Sequence, residues 1–367
     1  MPTALLAGAH ERQSPDHEAM LAAFRGALPD WRIVTTGGAP ASGAVEARAR
    51  RSLGRTVLNA DAVVFVGGTV FTTLRRPSTG RSPHDVLARA LLLAGGGRAA
   101  GKPVAMLGVA ADQLPDARAR WLARALVRRA DLLVLCDEES AHVLATVGAP
   151  IPFRVGADPA WTLVDHAPVA RRDRDGVVVA LGDLPGDANL ADRLAGALGP
   201  LADTGVTVQL QPWHGGDRAT GSAGLASAVA TRLHGRVEVT TPPANLPDAW
   251  TRIAGARLAV CLSSHAMIAA AAVGTPLVAI AHQLKLIGLA RRLQQPAAAI
   301  TANPALIAGK LLSGLDAQPA SPHAVHAEIA RAAEGFRLLR LLLTHGTLSE
   351  LDSLDGLSLV PAPWTAR

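Results

Sequence analysis

With 367 residues, 49% of them apolar and 18% charged, the chain has material for about two packed domains and falls outside the disordered class. Its +6 charge comes almost wholly from arginines spread along the chain, with three lysines among 36 basic residues and 3% aromatics. That excludes the clustered, stacking footprint of a nucleic-acid binder and favours an anionic small substrate or an anionic surface.

The predicted elements alternate β-branched runs with amphipathic segments. Residues 4–8 read as a strand, 15–28 as a helix, 31–36 as a second strand, and 60–68 as a third that ends in glycines. Helix 83–93, strand 103–109, helix 116–129 and strand 131–136 follow, with Gly95-Gly96-Gly97 read as a helix stop. This is βαβ repetition and predicts a mainly parallel sheet covered by helices over residues 1–165. The segment 166–176 is charged and contains proline, the composition of a linker. The pattern then restarts: strands at 177–181, 206–210, 237–240, 258–262 and 276–280, and helices at 189–201, 246–254, 266–273 and 284–293, fill a second domain over 177–322. A long helix from 323 to about 343 opens the final segment, 323–367, and is expected to pack back on the first domain. The longest apolar run, 266–281, is broken by Gly274-Thr275-Pro276, so no membrane span is expected. The N-terminus has no basic leader, so no signal peptide is expected either. Cys136 and Cys261 are too far apart for a disulfide framework or a zinc site to organise the fold, and neither metal nor cofactor is expected.

Ligands of such sheets bind beyond the carboxyl ends of the strands, so two facing domains place a site in the cleft between them. Four corners carry suitable groups. After the first strand, Ser14 or Asp16 can cap a helix, with His10 and His17 nearby. After the third, Gly67 and Gly68 permit close backbone approach, and the loop beyond carries Arg75, Arg76 and Arg81, guanidiniums able to hold phosphate or carboxylate. At Cys136–Ser140, Asp137 reaches the sheet edge as a base or orienting group, or as an acidic helix start, and Ser140 is placed to begin the helix. At the fourth, Ser263, Ser264 and His265 interrupt an apolar stretch where packing has no use for them; hydroxyls with helix N–H groups bind oxyanions, and the imidazole can move a proton. His282 and Lys285 follow the next strand.

In this order the motifs resemble those of the polysaccharide pyruvyl transferase family, over roughly residues 4 to 300. Asp16 stands in the first corner, Gly67-Gly68-Thr69 at the glycine-rich strand end, and Gly101–Val104 at the G-K-P-V strand. Cys136-Asp137-Glu138-Glu139-Ser140 occupies the R-D-x-x-S place and Ala157–Ala160 the A-D-P motif, which contains Asp158. Ser263-Ser264-His265 matches R-x-H, with Thr275-Pro276, His282 and Lys285 after it. Both family arginines are replaced, by Cys136 and Ser263, and the family tyrosine by His282. The resemblance implies a GT-B-like fold of two Rossmann-type domains. It also implies transfer of the enolpyruvyl unit of phosphoenolpyruvate onto hydroxyls of a lipid-linked or nucleotide-linked saccharide, in the cytoplasm, with peripheral contact at the inner membrane face or homo-oligomers compatible with it. His265, Asp16 and Asp137 would be the catalytic groups. Gly67, Gly68, Ser140, Asp158, Ser263, Ser264, His282 and Lys285 would bind substrate. Arg75, Arg76, Arg81 and Arg154 stand available for the anion-binding role that the replaced arginines leave. A GT-B-like transferase with a nucleotide-linked donor, or a non-catalytic glycan-binding relative, are the competing readings.

Overall fold

The computed structural model of the chain describes residues 1–8, 14–36, 53–73, 83–148, 153–168, 173–182, 184, 189–213 and 221–346. The first lobe runs β1 (Thr3–Gly8), α1 (Pro15–Ala27), β2 (Arg32–Thr35), α2 (Leu53–Leu58), β3 (Ala62–Val66), β4 (Thr69–Phe71) and α3 (Pro83–Ala99). It continues through β5 (Val104–Ala111), α4 (Ala117–Val127), β6 (Leu132–Leu135), α5 (Glu138–Thr146) and β7 (Arg154–Val155) to a 3₁₀ helix (Pro159–His166). The second lobe begins β8 (Val177–Leu181), α6 (Leu190–Ala202), β9 (Val208–Pro212), α7 (Gly221–Arg232), β10 (Glu238–Val239), α8 (Leu246–Ala254) and β11 (Leu258–Cys261). It is completed by α9 (Ser264–Ala272), β12 (Leu277–Ala281), α10 (Leu284–Arg292), β13 (Ala297–Ala299) and α11 (Pro304–Gly314), and α12 (Pro322–His345) closes the described chain.

Strands such as β3, β5, β8 and β12 are continuous apolar runs because helices cover both faces of each sheet. The first sheet has the order β2-β1-β3-β5-β6-β7 with β4 beside β5; the second has β10-β9-β8-β11-β12-β13. Pairings within both sheets are parallel. In each sheet the order reverses direction at one place, beside β1 and β3 in the first and beside β8 and β11 in the second. Crevices at such switch points are where doubly wound sheets receive ligands. The corners after β3 and β11 are the Gly67-Gly68 and Ser263-Ser264-His265 corners.

Each lobe has its own apolar cluster on its outer side. A third cluster joins the lobes and holds Phe24, Trp161, Trp213, Met267 and Phe336 together. α12 returns to pack on β5, β6 and the 3₁₀ helix of the first lobe. Phe336 meets Phe24 edge to face at 4.9 Å, and burying a ring of that size contributes about 1.5–3 kcal/mol. Among the described residues no helix is long and apolar enough to cross a membrane.

Two local expectations are corrected. Gly95-Gly96-Gly97 does not stop its helix: α3 continues to Ala99. Gly97 lies where an added Cβ would stand 3.0 Å from Val63 and 3.1 Å from Val104, so the glycine serves close approach of helix to sheet. α5 begins at Glu138, because Asp137 rather than Ser140 is the capping residue. Residues 169–172 of the linker and the tail 347–367 lie outside the described residues.

Candidate active site

β11 is fully buried and delivers its polar corner directly to the cleft. Ser263 accepts a hydrogen bond from the Ala266 N–H at 3.1 Å and starts α9, which places His265 in the first helical turn. On the opposite side Ser14 accepts from the His17 N–H at 3.2 Å and caps α1. The capping duty thus falls on Ser14, and the Asp16 carboxylate faces the second lobe. There Trp213 donates its indole N–H to Asp16 Oδ1, while His265 Nδ1 lies 3.4 Å from Asp16 Oδ2. The other ring nitrogen, Nε2, lies 3.6 Å from Oδ1 of Asp158, which also accepts from the Ala160 N–H at 3.0 Å and starts the 3₁₀ helix.

The His265 side chain is 11% exposed. Burial disfavours the imidazolium, but Asp16 and Asp158 more than offset this against a smaller opposing push from Lys285, and the ring is raised from 6.5 to about 9. His265 is therefore a cation at neutral pH, held between a carboxylate on α1 and one at the start of the 3₁₀ helix. Its Nε2 is buried and makes no hydrogen bond among the described residues.

A cavity opens beside this pair. Gly68, Gly108, Cys136 and Asp137 form its first-lobe wall, with Asp158 and Trp161 at its base. Ser264, Lys285, Leu289 and Arg292 form the facing wall, and Glu328 of α12 closes it. Asp158 belongs both to the cavity and to the His265 pair. Among the described residues no group of three His, Cys, Asp or Glu side chains is arranged to hold a metal ion.

The cavity gathers some of the sequence-derived candidates and not others. Gly68, Asp137, Asp158, Ser264 and Lys285 are in its walls, and Lys285 has no ion pair among the described residues. Gly67 adopts φ +52°, and a Cβ there would approach Met20 Sδ to 2.8 Å, so the corner requires glycine without placing this one in the wall. Asp137 is 1% exposed and accepts from the Ser140 N–H at 2.6 Å and from the Cys136 thiol at 2.7 Å. Burial, then the neighbouring Asp137, push that thiol well above its usual range, so it stays protonated. Ser140 is fully buried, accepts from the Ala111 N–H at 2.9 Å and does not reach the cavity. Ser263 caps its helix, His282 lies outside the walls, and Arg154 sits on β7 at the sheet edge. Arg75, Arg76 and Arg81 lie outside the described residues.

Sequence reasoning missed Trp213, Arg292 and Glu328. Arg292 had a signal: it follows Lys285 by seven residues, two helical turns, which returns it to the same face. Trp213 and Glu328 had none, because their partners lie far away in the chain.

The sequence model of the family described as polysaccharide pyruvyl transferase matches residues 15–283. No curated protein sequence matches the chain. Among solved structures, S. aureus MnaA in complex with UDP superposes with a TM-score of 0.63 at 12% identity, covering 94% of this chain and 97% of that one. UDP-GlcNAc 2-epimerase from Methanocaldococcus jannaschii gives 0.59 at 10% identity, covering 94% and 100%. Anabaena Alr3699/HepE in complex with UDP gives 0.53 at 15% identity, covering 94% and 100%. At these identities the likeness is one of fold, a GT-B-like pair of Rossmann-type lobes. The match over residues 15–283 spans the corner at Asp16, the cavity wall at Asp137 and Asp158, and the strand end at His265, and by it the chain belongs to the polysaccharide pyruvyl transferase family.

Proposed function

We propose that the protein transfers the enolpyruvyl unit of phosphoenolpyruvate to a pair of hydroxyls on a cell-envelope saccharide precursor, forming a pyruvyl ketal and releasing phosphate. The observation that carries this reading is the His265 imidazolium held between Asp16 and Asp158, next to a cavity with Lys285 and Arg292 in its wall. The reaction asks for a proton donor to the enol carbon, a proton acceptor for the attacking hydroxyls, and cations for phosphate and carboxylate. His265 donates a proton to C3, turning the methylene into a methyl group and C2 into an electrophile. The acceptor's first oxygen bonds to C2, the C2–O bond to phosphate breaks, and the second oxygen closes the ketal. Of the two hydroxyl protons lost, one restores His265 and one leaves on phosphate. Asp16 relays the first hydroxyl proton back to His265, Asp158 steadies Nε2, and Asp137 shapes the wall opposite Lys285. The cavity measures about 20 Å³, the scale of a single water, so substrates enter as the lobes part.

The test is phosphate release from phosphoenolpyruvate with lipid-linked and nucleotide-linked saccharides as acceptors. Acceptor-dependent release with a product heavier by one pyruvyl ketal is expected; no release with any acceptor overturns the reading. A second reading draws on the UDP-bound neighbours, whose fold this chain shares: a nucleotide-linked sugar occupies the cleft, as acceptor or as donor. Thermal stabilisation by nucleotide sugars with none by phosphoenolpyruvate favours it as donor. Stabilisation by neither, with His265→Ala leaving the cellular phenotype intact, favours a non-catalytic glycan binder.

A further inference from the structure

We propose that Arg292, seated by Glu328 of α12, is the guanidinium that binds the anionic end of the donor, standing in for the arginine that Cys136 replaces. The proposal rests on the reading above for the donor's identity, not for the existence of an anion seat.

Arg292 ends α10 and Lys285 begins it, and both lie in the cavity wall. The Arg292 Nε donates to Glu328 Oε1 at 2.9 Å, while Nη1 is 3.9 Å from Glu139 Oε2, beyond hydrogen-bond reach. The terminal nitrogens therefore make no hydrogen bond to any described residue, although the side chain is only 16% exposed. A guanidinium has five N–H donors, and those of the terminal nitrogens stay open for a ligand in the cavity to accept.

Further observations show how the guanidinium is held. Glu328 is 1% exposed and lines the cavity, so its carboxylate fixes Arg292 from the α12 side. Its Oε1 is shared by Arg292 and Arg331, so two guanidiniums meet one carboxylate oxygen. Lys285 adds a positive charge with no ion pair among the described residues. Across the cavity, Asp137 and Asp158 already accept backbone N–H groups as helix caps, and Asp137 also takes the Cys136 thiol. Arg292 lies within electrostatic reach of Cys136 and Asp137, the residues that fill the family's R-D place. The guanidinium missing from the corner after β6 is thus supplied from the opposite wall, and α12 holds it there.

The test is calorimetric binding of phosphoenolpyruvate, inorganic phosphate and pyruvate to the full chain, to Arg292→Gln and to the double variant R292Q/E328Q. The double variant removes both charges at similar volume, so it carries the test if Arg292→Gln alone fails to fold around an unpaired Glu328. Both variants are expected to bind phosphoenolpyruvate about 10- to 100-fold more weakly. The fragment whose binding falls most, phosphate or pyruvate, identifies the end that Arg292 holds. If the wild type binds these probes and the double variant binds them equally well, the seat is overturned while the donor reading stands. If the wild type binds phosphate but not phosphoenolpyruvate, and the variants lose phosphate, the seat stands and the donor reading falls. If the wild type binds none of them, both fall.

Discussion

The first lobe brings carboxylates to the cleft, and the second brings cations. Asp16, Asp137 and Asp158 come from one side; His265, Lys285 and Arg292 come from the other. Neither lobe alone would set the protonation state of the site. In the docked structure burial and Lys285 disfavour the charge of His265; the first lobe's carboxylates reverse that and raise it to about 9. The charge state of His265 is thus a property of the docked pair, and the contacts that dock the lobes bear on it. Leu246 N–H donates to Glu18 at 2.7 Å, Arg291 pairs with Glu139 at 2.5 Å, and Trp213 holds Asp16.

The strongest way to break this complementarity is to remove its central cation. His265→Asn is expected to lower acceptor-dependent phosphate release by about 10²- to 10⁴-fold, the usual worth of a general acid or base, with the fold retained by circular dichroism. Turnover within a few-fold of wild type would remove His265 from catalysis. Removing one carboxylate sharpens the same point. Asp16→Asn deletes both a charge and a hydrogen bond that favour the imidazolium, so the alkaline limb of the rate profile, expected near pH 9, moves toward lower pH. An unmoved limb would mean that another group titrates there.

Stability gives a third handle. The folded pKa of His265 lies above its ordinary value of 6.5, so its contribution is fully present below about pH 6.5 and is lost as pH rises through about 9. Chemical denaturation across that window should show a decline that His265→Asn flattens; an identical decline in the variant contradicts the assignment. Smaller still is Trp213→Phe, which removes one hydrogen bond to Asp16 and is expected to cost about 1–3 kcal/mol, with a modest fall in turnover. The least effect belongs to Glu139→Gln. Its close partner Arg291 is 68% exposed, so the change in unfolding free energy should stay below about 1 kcal/mol.

Much of this contrast was legible in the sequence, for reasons that also mark where reading fails. Ser263-Ser264-His265 stood out because polar residues broke an apolar run at a strand end, and both sheets were visible in their β-branched runs. α7 and α11 passed unseen because alanine and glycine blur the contrast between their faces. The glycines of α3 read as a stop because close packing against Val63 and Val104 is a tertiary demand with no local mark. Glu328 lies among the charged residues of a long helix, and only the return of that helix onto the first lobe reveals it as buried. The imidazole could be named from sequence, but not which carboxylates flank it, since Asp16, Asp137 and Asp158 are told apart only by the structure, where Asp16 and Asp158 face the ring and Asp137 caps its helix.

Proton delivery to the enol carbon can be followed in the product itself. Transfer from phosphoenolpyruvate to a saccharide acceptor in D₂O, analysed by mass spectrometry, should give a ketal whose methyl group carries one deuterium. His265→Asn should give almost none in the same time. Ketal formed by the wild type without deuterium in that methyl, or formed equally fast by the variant, would contradict the role of the imidazolium between the lobes.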